Sequence, residues 1–218
     1  MGDDRLHRAK ELYETAVFGG DAAALTAAQT DLDGVEADLA LARGRIAHAR
    51  FLADQQEDPA ELGQFERAVE LYRRLGDTRG EAEALFWVGT YHQVIRGDGT
   101  TAVPSLQRSY DLAREAGDDI TRSYAVRHLG FAAMEAGDRD LARQRLTESL
   151  ELRRAAGFRA GVAAALLALA ELAAESGDRE GAGTLLAEAT AEAEACGASG
   201  ILRWIEAARQ ELAENDPR

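Results

Sequence analysis

Glycine residues recur through most of the chain at intervals of about 40 residues. One set opens Gly-Asp pairs, at Gly97, Gly137 and Gly177. A second set lies about 20 residues from the first, at Gly76, Gly117, Gly157 and Gly197. Glycine can adopt the left-handed conformation that ends a helix, and aspartate can cap the helix that follows. The recurrence therefore predicts a series of helices joined by tight turns.

The segments between these turns have apolar residues at three- and four-residue spacing. One stripe consists of Leu141, Ala142, Leu146, Ser149 and Leu150. The stripe one repeat later consists of Leu185, Leu186, Ala189 and Ala193. This is the spacing of a helix that buries one face. Small residues also recur in mid-helix, at Gly89, Gly130 and Ala170, and predict that another helix approaches closely at those points.

These motifs resemble the tetratricopeptide repeat (TPR). The matching sets are Leu129-Gly130 with Gly137 and Ala142, Leu169-Ala170 with Gly177 and Ala182, and, with one inserted residue, Val88-Gly89 with Gly97 and Ala102. The period near 40 residues is similar to the longer repeats of kinesin light chains and of helical domains in bacterial regulators. The resemblance implies an all-α, right-handed superhelical solenoid of antiparallel helix hairpins, with about ten or eleven helices. The proline that closes each repeat of the family is absent, and Pro104 is expected in the first turn of a helix, where proline is tolerated.

The repeats define one continuous domain with a cap at each end. Its segments are an N-terminal capping helix pair (1–34), a degenerate repeat (35–76), three regular repeats (77–117, 118–157 and 158–197), and a C-terminal capping helix and tail (198–218). The N-terminal pair includes a short helix from Ala24 to Leu32, and Asp31 and Asp33 are interpreted as helix-capping residues. Caps are expected because the end repeats would otherwise expose their apolar sides. The last four residues, 215–218, are expected to fray.

The chain has a formal net charge of −14 and no run rich in Lys or Arg. Nucleic acids and anionic membranes attract basic surfaces, so neither is an expected partner. A protein or peptide partner is expected instead, with basic or amphipathic character. Because no basic segment followed by an apolar run opens the sequence, the predicted location is cytoplasmic. Cys196, the only cysteine, is predicted to be a small buried residue.

No motif in the sequence carries recognisable reaction chemistry. The glycine-rich stretch from Gly97 to Thr101 lacks the lysine of a phosphate-binding loop. The four histidines are scattered, and none forms an i, i+4 pair for a metal. The sequence therefore predicts no metal and no cofactor, and favours a non-enzymatic module over an enzyme.

The TPR resemblance implies that the first helix of each repeat lines a concave groove. Carrying over the groove spacing gives Glu83, Phe86, Thr90, Gln93, Tyr124, Arg127, Phe131, Met134, Glu135, Leu167, Glu171 and Glu175, with Trp204 from the terminal helix. Several of these side chains are aromatic, and Arg127 is their only cation. Exposed aromatic and arginine residues often mark a binding site. The alternative is that the aromatic side chains pack against one another and fill a core.

Three functions are consistent with such a groove. The first is a binding module, regulatory in character, that holds a peptide or a partner protein. The second is a pocket for a small molecule, or an enzyme that uses Tyr124, Arg127, His128 or Glu135. The third is a structural subunit that forms a homodimer through the aromatic residues of the predicted groove. An open channel would favour the first function, and a deep pocket with converging polar groups would favour the second.

Overall fold

A computed structural model describes residues 3–214 and is all-α over that range. The ten α-helices in it are α1 (Asp4–Gly19), α2 (Ala23–Asp54), α3 (Glu61–Leu75), α4 (Thr78–Thr90), α5 (Gly99–Glu115), α6 (Asp119–Glu135), α7 (Arg139–Ala155), α8 (Arg159–Glu175), α9 (Arg179–Cys196) and α10 (Ser199–Glu214). A short π-helix, Tyr91–Ile95, follows α4 directly. The predicted all-helical fold class is confirmed. The predicted frayed tail, 215–218, lies outside the described residues. Within 3–214, no helix combines the length and apolarity needed to cross a bilayer.

The chain divides into two compact units, Met1–Ala116 and Gly117–Arg218. Helices α1 to α5 form the first unit and α6 to α10 the second. Within each unit, helices that follow one another in sequence pack together. The first unit has a core around Phe65 and Leu71, and the second has a core around Leu146, Leu166 and Ile205. Each unit therefore buries an apolar cluster of its own.

The predicted turn glycines adopt the left-handed conformation that a helix end requires. Gly137, with a φ of 77°, is one example. The others are Gly76, Gly97, Gly117, Gly157, Gly177 and Gly197. The aspartates after these turns also act as predicted, because Asp138 Oδ1 accepts a hydrogen bond of 3.0 Å from the backbone N–H of Leu141. Asp98 and Asp178 cap α5 and α9 in the same way.

The small residues in mid-helix lie where a neighbouring helix approaches, as predicted. A methyl group added at Gly89 would lie 2.5 Å from Leu106 Cγ of the next helix. A methyl group added at Gly130 would lie 2.8 Å from Leu146 Cδ2. Both leucines are fully buried. The absence of a side chain at these glycines is therefore what allows α4 to pack on α5 and α6 to pack on α7.

The prediction of a separate short helix from Ala24 to Leu32 is wrong. Helix α2 runs without a break from Ala23 to Asp54, so the predicted segment boundary at residue 34 falls inside it. Asp31 and Asp33 do not cap helices. They are buried within α2, where Asp31 pairs with Arg8 of α1 and Asp33 Oδ2 lies 3.1 Å from Arg74 Nη1 of α3. Arginines of both neighbouring helices neutralise the charges of the two aspartates. Both residues can therefore lie within a continuous helix.

The single inserted residue of the first regular repeat is accommodated by the π-helix. Its hydrogen bonds span five residues, and one of them joins Arg96 N–H to Tyr91 O at 3.3 Å. A one-turn widening of this kind takes up one extra residue without ending the helix. The turn at Gly97 therefore keeps its place in the repeat.

Two further expectations are corrected by the structure. Pro104 lies in the second turn of α5 rather than the first. Its ring removes the N–H that would bind Thr100 O, but both residues are exposed, so water can satisfy that carbonyl. Cys196 is exposed rather than buried, because it occupies the outer side of the last turn of α9.

Candidate functional site

The predicted groove residues divide between the two units. Glu83, Phe86, Thr90 and Gln93 lie in the first unit, and the other predicted residues lie in the second. The two groups are therefore two surfaces, each set by the packing of its own unit.

In the first unit, the predicted residues offer little free surface. Phe86 is only 4 % exposed, and its ring meets the edge of Trp87 with ring centroids 5.0 Å apart. Thr90 and Gln93 are also buried, and Glu83 forms an ion pair with Arg45 of α2. For these positions, internal packing describes the structure better than an open groove does.

In the second unit, one face of α6 carries Tyr124, Arg127, Phe131 and Met134 at helical spacing. The guanidinium of Arg127 lies 4.4 Å from the centroid of the Phe131 ring. Phe131 and Met134 are partly buried against the core of this unit. Arg153 of α7 places its guanidinium 4.8 Å from the centroid of the Tyr124 ring. This face therefore combines aromatic rings with two cations.

Arg153 is the largest fully buried side chain of the described residues, at 1 % exposed. Its Nε donates to Ser123 Oγ at 3.1 Å and its Nη1 donates to Gly161 O at 2.9 Å. Its Nη2, and the buried Nε of nearby Arg127, have no hydrogen-bond acceptor within residues 3–214. Burial and, secondarily, the like charge of Arg127 together lower the pKa of Arg153 to about 9. The pair is a concentration of positive charge with unused donors.

A cavity of about 360 Å³ lies in the second unit, where the inner faces of α6, α8, α9 and α10 meet. Its walls are Met134, Ala170, Glu171, Ala174, Glu175, Arg179, Ala182, Leu186, Ala208, Glu211 and Leu212. Arg179 is held in place by donating to Leu212 O at 2.8 Å. The side chain of Glu171 still reaches solvent, but the surrounding protein raises its pKa, and Arg127 acts in the opposite direction. The cavity is thus apolar with an acidic rim.

The structure brings together three of the predicted residues, Met134, Glu171 and Glu175, as walls of this cavity. Arg127, Phe131 and Tyr124 continue along the same face of α6. Leu167 does not join them, because it is buried in the core. Glu135 is exposed at the end of α6, and Trp204 is 51 % exposed on α10 outside the cavity wall.

Two features of interest were not predicted from the sequence. Arg153 lies three residues after Leu150, and a charged residue on an apolar stripe could have signalled it. In the first unit, His48 Nδ1 lies 3.0 Å from Oε1 of the fully buried Glu61. These two residues are 13 apart across an irregular loop, so no local motif joins them. Among residues 3–214, no group of three or more His, Cys, Asp or Glu side chains is placed to hold a metal ion.

Comparison with known proteins supports the fold alone. No family model and no curated protein matches the sequence. Among solved structures, the chain is similar to BtubC (BKLC) from P. vanneervenii, with a TM-score of 0.50 and 16 % sequence identity. The match covers 89 % of this chain and 90 % of that chain. The neighbour is a helical repeat protein of kinesin light chain-like fold, so the likeness supports a helical repeat architecture.

Proposed function

We propose that this protein is a non-enzymatic, TPR-like scaffold module whose second unit holds a peptide segment of a partner protein. The observation that carries the proposal is the apolar cavity with an acidic rim, which is walled in part by Met134 on the same face of α6 as the partly buried Arg127, with buried Arg153 of α7 nearby. A surface with an apolar centre and opposite charges at its two ends suits an amphipathic segment better than a uniformly charged one.

The acidic rim and the apolar wall favour a segment with a basic residue beside an apolar one. An apolar side chain would replace water against Leu186 and Leu212, while a Lys or Arg would face Glu171 and Glu175. Burying an apolar side chain of this size contributes about 1.5–3 kcal/mol. The segment therefore matches the basic or amphipathic partner expected from the net charge.

The partly buried Arg127, with the buried Arg153 beside it, favours an acidic group at the other end of the segment. Taking an ion out of water costs several kcal/mol, whereas an aromatic ring returns only about 2 kcal/mol. An anion bound to the accessible part of the Arg127 guanidinium would oppose the repulsion between the two guanidiniums. Arg127 and Met134 are seven residues apart on α6, a rise of about 10 Å, which corresponds to about three residues of extended peptide.

The test is a peptide array titrated against the full chain. The array carries an acidic residue three positions before an apolar-basic pair, together with peptides in which the acidic and basic positions are exchanged. We expect the first pattern to bind more tightly, and Arg127→Met and Glu171→Gln each to weaken it about tenfold, the usual loss for a charged hydrogen bond. Arg143→Met is the matched control, because Arg143 is exposed on α7 and has no ion pair within the described chain.

Thermal melts of the same variants separate binding from folding. Phe131→Ala should weaken binding and also lower the melting temperature, because the ring packs against the core of the second unit. Arg127→Met should weaken binding with little loss of stability. Equal affinity for both peptide patterns, or unchanged binding in both charge variants, would show that the peptide does not bind to this groove.

A further inference from the structure

Large apolar side chains recur every seven residues along the exposed side of helix α2. This α2 stripe consists of Leu25, Leu32, Leu39 and Ile46, which are between 41 % and 54 % exposed. Seven residues are close to two helical turns, so the four side chains share one side of the helix and drift by only about 20° per heptad. Apolar residues that keep this spacing over successive heptads are typical of a helix that packs against another helix.

Smaller residues complete the coiled-coil pattern in the second half of α2. The second apolar position of a heptad lies three residues after the first, and here it is occupied by Val35, Ala42 and Ala49. Ala42 and Ala49 are exposed, and Val35 is partly buried. The second half of α2 therefore presents an apolar seam that is open to solvent in the described chain.

Helix α1 packs along the first half of α2 and enlarges this apolar surface. Arg5 Nη2, near the start of α1, lies 2.6 Å from Asp38 Oδ2, so α1 runs from the middle of α2 back toward its beginning. It adds three half-exposed apolar side chains, Leu6, Tyr13 and Val17. A strip about 30 Å long and up to two helices wide covers about 600 Å². That area is at the upper end for an apolar patch on a monomer and indicates a contact site.

The charge beside the α2 stripe changes sign along the helix. The residues that lie four positions after the stripe residues are, in order, Gln29, Glu36, Arg43 and Arg50. All four are exposed, and the two arginines form no ion pair within residues 3–214. Glu36 accepts a hydrogen bond of 2.8 Å from Arg67 Nε, but its side chain remains 50 % exposed and can pair with a second arginine. This row is therefore acidic in its first half and basic in its second half.

We propose that this face binds a second copy of the chain, with the two α2 helices antiparallel about a twofold axis near their middle. An antiparallel alignment that sets Leu39 of one copy against Ala42 of the other also sets Leu32 against Ala49. Large side chains then meet small ones along the seam, and the twofold axis repeats each contact.

The reversal of charge along α2 selects this orientation. The same alignment places Glu36 of each copy beside Arg43 of the other copy. A parallel pair of α2 helices would instead set the acidic half against the acidic half and the basic half against the basic half. Opposite charges favour the antiparallel pair, and like charges disfavour the parallel one.

The area is sufficient for a reversible dimer. Two such faces bury about 1,200 Å² in total, which is at the lower bound for a specific interface. The dissociation constant is expected to be on the order of micromolar. The contact lies in the first unit, so it is independent of the peptide groove proposed for the second unit.

Sedimentation velocity of the full chain, from sub-micromolar to several hundred micromolar, tests for the dimer. Leu39→Glu should weaken dimerisation at least about hundredfold, because it buries two carboxylates near the axis. Leu39 is half exposed, so circular dichroism should show an unchanged fold. Val103→Glu, at an exposed apolar position of α5 in the same unit, is the matched control and should dimerise like the wild type. A wild-type chain that stays monomeric at every concentration, or a dimer that survives Leu39→Glu, would overturn the proposal.

A charge exchange tests the orientation. Glu36→Arg and Arg43→Glu each place like charges together at two contacts and should each weaken dimerisation by about tenfold. In an equimolar mixture of the two variants, the new arginine faces the new glutamate and the native Arg43 faces the native Glu36. The mixture should therefore dimerise more tightly than either variant alone. A mixture that dimerises no better than the separate variants would refute the antiparallel arrangement.

Discussion

The same substitution, glycine to alanine, should have opposite effects at two helical positions of this protein. At Gly89 the new methyl group would meet Leu106 Cγ at 2.5 Å, Leu106 Cδ2 at 2.7 Å and the backbone oxygen of Ala102 at 3.3 Å. Leu106 and Ala102 are both fully buried, so neither can move aside freely. At Gly183 of α9, nothing lies within 4 Å of the added methyl group.

The magnitudes follow from two competing effects. Alanine is favoured over glycine in a helix by about 1 kcal/mol. Forcing a methyl group into a well-packed core costs typically about 1–3 kcal/mol. At Gly89 both effects operate and the backbone contact prevents full relaxation, so we expect a net loss of about 1–2 kcal/mol in the free energy of unfolding. At Gly183 only the helix preference operates, so we expect a gain of about 0.5–1 kcal/mol.

Urea denaturation followed by circular dichroism measures both changes. Because the chain has two compact units, the transitions should be fitted for each unit where they separate, Gly89 reporting on the first unit and Gly183 on the second. A Gly89→Ala protein that is about 1 kcal/mol more stable than the wild type would show that α4 and α5 can separate slightly at no cost. That result would refute close approach as the reason for glycine at this position.

Further predictions concern a cap, the end of the chain and pH. Asp138→Ala should cost about 1 kcal/mol of stability through loss of the α7 cap, and Asp138→Asn should restore most of it. Ile205→Ala should cost about 2–4 kcal/mol because the side chain is fully buried, and deletion from Ser199 onward should cost more or cause aggregation, with light scattering as the readout. Folding raises the pKa of Glu61 from 4.5 to about 7. The contribution of protonated Glu61 to the free energy of unfolding is therefore fully present below pH 4.5 and is lost as pH rises to about 7. Glu61→Gln should abolish this decline, which is on the order of 3 kcal/mol, and identical pH profiles for the two proteins would contradict the raised pKa.

The regular part of the fold could be predicted because its determinants are local. A left-handed glycine such as Gly137 and a cap such as Asp138 act within a few residues of their own positions, so the sequence alone locates the turn. The mid-helix glycines could be predicted for a related reason. A glycine inside a helix lowers helix propensity, so its value must lie in packing, and Gly130 against Leu146 shows this.

The remaining features depend on partners that are distant in sequence. Asp31 and Asp33 are helix-capping types, and only their pairing with Arg8 and Arg74 explains a continuous α2. The inserted residue was visible in the repeat spacing, but its conformation as a π-helix was not. The aromatic groove was predicted by position alone, and position does not determine burial, so Phe86 proved to be packed while Met134 lines a cavity.

The local turns also bear on how the chain reaches its structure. Each Asp cap bonds to an N–H three residues away, and each helix packs chiefly on the next helix in sequence. Chains dominated by such short-range contacts fold fast, because little loop entropy is lost before contacts form. During synthesis, each hairpin of this protein could therefore assemble soon after its second helix leaves the ribosome. Helix α10, which contributes Ile205 to the second core, follows the other helices of that unit in sequence, so that core is completed only after α10 has been synthesised.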